Sequence, residues 1–441
     1  MKTSIRNQIV LFFLPIFLSI TANSQLKITG EIRPRFEYRH GFQSLSDSAM
    51  RPGAFVDQRT RLNFEYKKDK IEFKVAMQDV RIWGNQSQLV NNEDFGVSVH
   101  EAFGIAHISN TWAIKFGRQE LVYDDHRIFG NVDWAQQARS HDGIVFQYRK
   151  DKLKLDIGGA FNQDKPQNNT TSYSIAKSYK TMQYVWSNYK FSEALNASFL
   201  VLSLGQQANF TNTLGQPAYQ DNYTLTAGTR IMYKKNKIKI SSNLFYQMGS
   251  TNSWPAKNVN GYLVNLDFSY NVIEPLSINL GFEMTSGNSQ TDTSANYIKT
   301  ERGFNPYFGT NHKFNGVMDY FYVGNHIGSV GLSDAYLGFD YKKKTYSIEL
   351  LAHIFLTQAN VLDKTEFAAT GTIKAMNPYL GTEIDLSGGF NITDGVICKL
   401  GYSHLIGTET MVALKGGNKD AVSNWGYVML VLKPVLFEQK N

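Results

Sequence analysis

The sequence is poor in cysteine, proline and long apolar runs, and each shortage excludes a class of protein. Cys398 is the only cysteine among 441 residues, so the chain can form neither an internal disulfide nor a cysteine-rich metal cluster. Only 10 prolines occur, which leaves long segments free to form strands. After residue 25 there is no apolar stretch of about 18 residues, so transmembrane helices are excluded.

An excess of charge of one sign is also lacking, and so are the motifs of common enzymes. The formal net charge is +7, too little for this length to indicate a nucleic-acid partner. There is no G-x-S-x-G, no H-E-x-x-H and no glycine-rich phosphate loop. Asp124, Asp125 and His126 are adjacent, but neighbours in sequence rarely converge on one ion without further ligands. We therefore expect no enzyme, no cofactor and no metal.

The first residues have the composition of a secretory signal. Lys2 and Arg6 precede the short apolar run Val10–Ile20, and Ala22-Asn23-Ser24 resembles a cleavage site. The alternative is a signal anchor, for which the run is short. The sequence thus predicts a signal peptide over 1–24 and a single domain over 25–441.

Aromatic and alternating segments fill the rest of the chain, which contains 29 Phe and 24 Tyr. From residue 26 apolar and polar residues alternate, as in a strand with two different faces. The apolar face of the first segment carries Leu26, Ile28, Ile32, Phe36 and Tyr38, and its polar face carries Lys27, Glu31, Arg33, Arg35, Glu37 and Arg39. A soluble sheet and a transmembrane barrel both produce this alternation, so a soluble sandwich is the alternative fold.

The connections between these segments decide between the two folds. Eight short turns alternate with nine long loops, the arrangement of outer-membrane barrels. The long loops are expected near 41–55, 83–96, 119–141, 163–178, 205–222, 248–259, 286–331, 357–377 and 407–423. The sequence therefore predicts an all-β, transmembrane antiparallel β-barrel of about 18 strands, with short periplasmic turns and long outer loops.

Tyrosines recur at one position beside the short turns. Tyr-Lys-Lys-Asp-Lys at Tyr66 returns in related form at Tyr148, Tyr233 and Tyr341. A ring of tyrosines at one height is what an aromatic girdle at the membrane interface requires.

Charged residues on the polar strand faces are the candidate pore-lining side chains. Arg33, Arg35, Arg59 and Arg61 share the inner face of two neighbouring strands, and Glu383 with Asp385 occupies a late strand. One interpretation is a conduit that guides anions, because guanidinium suits carboxylate. The other is an internal ladder of Arg–carboxylate pairs that braces the barrel.

The most unusual stretch is the polar segment 117–143, which lies between two clean strands. Arg118, Arg127, Arg139 and Asp142 are its candidate site residues. A loop this long is usually functional. It either folds inward and places cations at a constriction, or packs on the rim of the barrel.

Several short motifs resemble the alginate-export family of outer-membrane barrels. They are Gly30-Glu31-Ile32-Arg33-Pro34-Arg35, Gly117-Arg118-Gln119, Tyr123 to Gly130, Trp134, Arg139 to Gly143, Gly309 to Gly316 with Asp319, and Leu380 to Leu386. The resemblance implies an 18-stranded barrel with an arginine-lined lumen that passes an anionic polysaccharide outward. It also implies lumen or constriction positions for Arg33, Arg35, Arg61, Arg118, Arg127 and Arg139.

The predicted function is an outer-membrane channel of a Gram-negative bacterium. It would pass anionic polysaccharide or small anions by passive diffusion or export. The alternative is a structural or surface-binding barrel that is plugged by its own loops. The expected partners are outer-membrane lipid, the anionic solute and periplasmic export proteins, with no nucleic acid, and a monomer is favoured over an oligomer.

Overall fold

A closed antiparallel β-barrel contains most of the residues in this computed structural model, which describes 24–89, 96–173, 175, 178–321 and 326–439. Within these ranges 18 long strands form the wall. Each wall strand pairs antiparallel with its neighbours in sequence, and β19 closes the barrel on β1, with Arg35 opposite Met429. The predicted fold is confirmed. The predicted signal peptide, apart from Ser24, lies outside the described residues and stays a prediction, as does the domain boundary after it.

The strands differ in length, from two residues in β14 to 19 in β10. They are β1 (Ser24–His40), β2 (Gly53–Lys68), β3 (Ile71–Ile82), β4 (Ser98–His107), β5 (Trp112–Gln119), β6 (His141–Lys150), β7 (Leu153–Phe161), β8 (Thr181–Lys190), β9 (Leu195–Thr211), β10 (Pro217–Lys235), β11 (Ile238–Ser250), β12 (Asn258–Ile273), β13 (Leu276–Thr285), β14 (Thr300–Glu301), β15 (Leu332–Lys342), β16 (Tyr346–Leu356), β17 (Tyr379–Thr393), β18 (Val396–Gly407), β19 (Ser423–Leu432) and β20 (Val435–Glu438).

Two of these strands are not counted among the 18 strands of the barrel wall. The short β14 pairs in parallel with β12, and β20 pairs with β1 beyond the end of β19. Three short helices lie in the long loops: a 3-10 turn (Asn311–Lys313), α1 (Lys364–Thr370) and α2 (Glu409–Lys415). Across the described ranges no helix is long and apolar enough to span a bilayer.

The alternation of short and long connections is confirmed, with one correction. The long loop expected over 205–222 is wrong, because β9 and β10 continue as a paired hairpin up to Thr211 and Pro217. The Asn212 side chain accepts hydrogen bonds from the backbone N–H groups of Leu214 and Gln216, which closes the turn. These strand ends were not recognised in the sequence because their polar residues do not alternate regularly with apolar ones.

Apolar side chains cover the outside of the barrel and polar side chains point inward. On β12, for example, Leu266 and Phe268 are exposed on the outer face while Leu263 and Asn265 are buried in the lumen. Tyr66, Tyr189, Tyr233 and Tyr270 are all exposed beside short turns, at the level that an aromatic girdle requires.

Two long loops extend into the lumen: L3 (120–140) and L7 (286–331, of which 286–321 and 326–331 are described). They supply buried apolar side chains to two clusters inside the barrel. One cluster joins Phe129 of L3 and Phe304 of L7 to the inner faces of β6 to β12. The other joins Trp134 of L3 and Tyr320 of L7 to the inner faces of β15 to β19. The barrel core is therefore built from wall and loops together.

An arginine placed on the outer face should test this assignment of faces. Leu266→Arg puts a charge into lipid and should destabilise the barrel by about 2–4 kcal/mol. The control Ser277→Arg adds the same charge to the lumen face of β13, opposite Asp340, and should change stability by less than about 1 kcal/mol. Urea titration of both variants refolded in lipid vesicles measures the difference, and equal losses would contradict the assignment.

Candidate functional site

L3 crosses the lumen from its ends on β5 and β6, and the inner faces of β1 and β2 hold its tip. Arg33 of β1 and Arg59 of β2 are buried, and both bind Asp133 of the loop. The Arg33 Nη1–Asp133 Oδ2 distance is 3.3 Å, and the Arg59 Nη2–Asp133 Oδ1 distance is 2.9 Å. Glu31 also accepts from Arg59 Nη2, at 2.6 Å. Two buried guanidinium groups are thus neutralised by one wall carboxylate and one loop carboxylate.

The charges around Asp133 set its protonation state. Burial would raise the pKa of its carboxyl group, but the positive charges of Arg59 and Arg33 outweigh burial and lower the pKa to about 2. Asp133 therefore remains a carboxylate at every physiological pH, and the link between loop and wall is not interrupted by mild acid.

A second set of bonds holds the residues that follow Asp133. Arg35 donates to the Trp134 carbonyl oxygen at 2.6 Å, and its guanidinium lies 4.1 Å from the centre of the indole ring. Arg35 also pairs with Asp57 at 2.7 Å. Gln136 Nε2 donates to the other oxygen of Asp57 at 2.6 Å, and Gln136 Oε1 accepts from Arg33 Nε at 3.0 Å. The loop backbone and side chains thus form hydrogen bonds with buried polar side chains of β1 and β2.

Arg61 holds L3 indirectly. Its guanidinium donates to Gln78 of β3 at 2.7 Å, and the Gln78 amide donates to the backbone oxygen of Gln137 at 2.9 Å. All four predicted strand arginines therefore lie on one side of the lumen and contact or support the same loop.

Arg127 lies at the opposite side of the lumen. It is buried, forms a short ion pair with Glu283 of β13, and packs its guanidinium 4.5 Å from the ring centre of Phe314 in L7. The neighbouring Asp125 pairs with Arg230 of β10. L3 is thus fixed to both sides of the barrel by charged groups.

Glu383 and Asp385 support L7. The Glu383 carboxylate, fully buried on β17, accepts the backbone N–H of Met318 at 2.8 Å. Asp385 lies 3.8 Å from His353 Nε2, whose other ring nitrogen lies 3.0 Å from Asp334. These carboxylates on β17 therefore support L7.

In the part of the chain that is described, no group of three or more His, Cys, Asp or Glu residues could hold a metal ion.

L3 and L7 also join each other. The Gly130 N–H donates to the Phe308 carbonyl at 2.8 Å, and the Thr310 N–H donates to the His126 carbonyl at 2.9 Å. A side chain at Gly130 would meet Thr310 Oγ1 at 2.3 Å, so only glycine permits this close approach. The Trp134 indole stacks on the His312 ring with their centres 4.4 Å apart. The two loops therefore form one body within the lumen.

Arg118 and Asp142 lie at the outer rim. They are opposite each other on β5 and β6 and form an ion pair of 2.8 Å, with 41% and 64% of their side chains exposed. They share the strand face of Phe116 and Ile144, which is the outer face of the barrel. This placement differs from that of the other predicted residues, which lie inside.

An outer cavity of about 810 Å³ lies above L3 and L7, at the long-loop end. Arg139 reaches it from L3, where the guanidinium donates to the Gly309 carbonyl at 3.3 Å. The lining includes amide, hydroxyl and aromatic side chains: Asn162, Gln163, Tyr173, Ser178, Tyr179, Gln206, Asn252, Asn305, Tyr307 and Phe308, with Arg118 and Asp142 at its margin. His141 Nε2 and Asn305 Oδ1 in this lining are buried and have no hydrogen-bond partner in the part of the chain that is described.

An inner cavity of about 590 Å³ lies below the two loops, toward the short turns. Its charged lining is mostly acidic. The carboxylates are Asp125, Asp267, Glu283, Asp334, Asp340 and Glu349, and the cations are Arg230, Lys239 and Lys313. The lumen therefore differs in charge on the two sides of L3 and L7.

Sequence reasoning missed the partners that give the arginines their positions, among them Asp57, Asp133, Gln136 and Asn315. Asp57 shares the inner face of β2 with Arg59, and that spacing is visible in the sequence. Asp133 and Gln136 could not be assigned, because no periodicity shows which wall a loop residue meets. The roles of the ten predicted residues in solute passage stay predictions.

The alginate-export family model matches residues 24–418. The chain belongs to the alginate-export family. No curated protein matches the sequence significantly. The predicted resemblance and the location in the outer membrane of a Gram-negative bacterium are confirmed. The family and the barrels that it resembles are channel proteins rather than enzymes.

Crystal structures of other outer-membrane barrels share the fold of this alginate-export family member. OccAB4 of Acinetobacter baumannii has a TM-score of 0.58 at 10% identity, over 94% of this chain and 99% of that chain. OpdQ of Pseudomonas aeruginosa has 0.58 at 13% identity, over 93% and 98%. OpdL of the same organism has 0.60 at 10% identity, over 93% and 99%. Identities this low show the shared fold alone.

Removing Asp133 should weaken the attachment of L3. Asp133→Ala removes one of the two carboxylates that Arg33 and Arg59 share, the other being Glu31, and should lower the free energy of unfolding by about 1–3 kcal/mol. The control Asp142→Ala removes the partner of an exposed arginine and should cost less than about 1 kcal/mol. Urea titration in detergent micelles compares the two, and equal small losses would contradict a structural role for Asp133.

Proposed function

We propose that this member of the alginate-export family is a passive outer-membrane channel for acidic solutes, carboxylated sugars in particular, with a lumen that L3 and L7 narrow. The observation that carries the proposal is the lining of the outer cavity, in which a cation lies among amides and aromatic rings. A solute arriving from outside meets this lining first.

The charge of the outer cavity suits a carboxylate. Arg139 is its innermost cation, and guanidinium binds carboxylate with directed hydrogen bonds. Among the described residues, the buried Nε2 of His141 in the same lining has no hydrogen-bond partner. This ring nitrogen can form a hydrogen bond with a solute.

The remaining lining suits a sugar ring. Asn162, Gln163 and Asn252 carry amide groups that can both donate to and accept from hydroxyl groups. Tyr307 and Phe308 offer aromatic faces on which the apolar C–H face of a sugar can pack. A few polar groups around apolar surface are the usual composition of a small-molecule site.

The filled lumen favours small solutes over a polymer. L3 is bound to β1, β2 and β13 by ion pairs, and L3 and L7 both contribute to buried apolar clusters. A polysaccharide strand would have to pass beside this body along its whole length, whereas a monosaccharide needs only a local gap. We therefore propose monomeric or short acidic sugars ahead of polysaccharide.

A second candidate function follows from the same filling. If L3 and L7 leave no continuous path, the barrel would bind solutes at its outer cavity without conducting them. The observation that favours this candidate is the number of bonds between the loops and the wall, which include the pairing of Arg127 with Glu283.

Conductance separates the two candidates. The purified protein in a planar bilayer under a salt gradient should conduct, with a reversal potential that shows preference for chloride over potassium. Galacturonate should reduce the chloride current from the outer side. No conductance would favour the plugged barrel, and a preference for potassium would overturn the proposed anion channel.

Arg139 should contribute to that preference. Arg139→Gln should lower the anion-to-cation permeability ratio and weaken the block by galacturonate by about tenfold, because a charged hydrogen bond of roughly 1.5 kcal/mol is lost. The control is Arg302→Gln in L7, since Arg302 bonds to the Tyr297 carbonyl and lines neither cavity described above. If both variants behave alike, Arg139 has no role in solute binding.

A further inference from the structure

Lysines on the outer face mark four of the strands that descend to the short turns. In β2, β6, β10 and β15 a tyrosine is followed two residues later by a lysine. The pairs are Tyr66 with Lys68, Tyr148 with Lys150, Tyr233 with Lys235, and Tyr341 with Lys343. Because side chains alternate along a strand, the lysine follows its tyrosine on the same face.

The strand register confirms that face for the first three lysines. Lys68 lies opposite Ile71, Lys150 opposite Leu153, and Lys235 opposite Ile238. These partners are apolar, and Ile71 and Ile238 are exposed on the lipid side. Lys343 lies just beyond β15, with its ammonium 5.6 Å from the ring centre of Tyr341. All four ammonium groups can therefore reach the headgroup level below the tyrosine ring.

These lysines alternate with apolar residues around the rim. The other four strands that lead into a short turn, β4, β8, β12 and β17, have an apolar residue at the position equivalent to the lysine. These residues are Ile108, Phe191, Val272 and Ile392. Three wall strands separate each lysine-bearing strand from the next along the series β2, β6, β10 and β15. At about 4.8 Å per strand the lysines lie roughly 20 Å apart, so each meets a different lipid molecule.

The four lysines also lack a carboxylate partner among the described residues. Within the described part of the chain no carboxylate forms an ion pair with Lys68, Lys150, Lys235 or Lys343. Neighbouring lysines of the same rim do pair, as Lys67 does with Glu72 at 2.8 Å and Lys190 with Glu193 at 2.6 Å. The outward set is thus available to an external anion.

We propose that these four Tyr-x-Lys pairs bind the phosphates of anionic phospholipids in the inner leaflet of the outer membrane. The tyrosine ring packs at the level of the headgroup, and the lysine one step beyond it pairs with the phosphate. The binding is separate from solute passage, because none of the four lysines lines the outer or the inner cavity. The apolar ends between the pairs contact acyl chains and uncharged headgroups.

Vesicles with and without phosphatidylglycerol test the proposal. The full-length mature barrel is refolded in phosphatidylethanolamine vesicles, alone and with added phosphatidylglycerol, and its unfolding midpoint is measured. Phosphatidylglycerol should raise the midpoint of the wild-type barrel. The fourfold variant Lys68→Gln, Lys150→Gln, Lys235→Gln and Lys343→Gln should lose this rise. Native mass spectrometry should show affinity for phosphatidylglycerol about fivefold lower at each site whose lysine is removed.

A matched variant separates specific binding from a general effect of charge. Lys70→Gln, Lys152→Gln, Lys234→Gln and Lys344→Gln remove the same charge from the same four turns, but at positions outside the Tyr-x-Lys pattern. This variant should keep the response to phosphatidylglycerol. Equal responses of the two fourfold variants would overturn the proposal. If the first variant does not refold, each single lysine variant is measured by native mass spectrometry, and unchanged lipid affinity in all four would overturn it as well.

Discussion

The ion pairs of Arg33 and Arg59 with Asp133 are the constraint on which the interior of this barrel depends. Two arginines on one inner wall would be costly to bury without compensating charge, and one loop carboxylate supplies part of it. In return the arginines position a loop of 21 residues across the lumen, against the tendency of a long polar segment to remain in solvent. Arg33 and Arg59, which the sequence pattern places on the inner face of the wall, therefore anchor L3 in the folded barrel. Arg35 and Arg61 extend this anchoring along the loop.

Because L3 is anchored there, the lumen is divided. L7 packs on L3 through Gly130, Trp134 and Phe129, and Glu383 of β17, three strands from β1 in the closed wall, holds L7. The outer cavity above the two loops carries Arg139 among amides and aromatic rings, while the inner cavity below them is lined mainly by carboxylates. With this arrangement the lumen is not positively charged along its whole length. In the function that we propose, anions are selected in the outer cavity. The carboxylates of the inner cavity would repel an anion that has passed L3 and L7, so it would not be retained there.

The fold was predictable because each strand faces lipid on one side and the lumen on the other, so that apolar and polar residues alternate along it. The alternation of short and long connections also indicated an up-and-down barrel. The tyrosine positions were predictable for the same reason, since an interface selects one residue type at one height. The one misjudged connection, β9 to β10, lies above the membrane, where neither constraint applies.

The inner face of Arg33, Arg35, Arg59 and Arg61 could also be predicted. Their partners could not, because the contacts of Asp133 and Gln136 depend on how a loop folds in three dimensions rather than on a repeating pattern. Arg118 and Asp142 show a related limit: their motif is informative, but the face they occupy depends on the register of β5 and β6.

In the channel that we propose, L3 is anchored by the wall arginines and sets the size of the passage. β5 and β6 are adjacent antiparallel strands, so a short Gly-Ser turn can replace residues 121–139 without breaking the wall. Single-channel conductance of this variant in a planar bilayer is the most direct measurement. A second variant without residues 364–370, the exposed helix α1 of another outer loop, serves as the control. We expect a conductance several-fold above wild type for the L3 variant and an unchanged value for the control. Unchanged conductance after removal of L3 would show that L3 does not limit the passage.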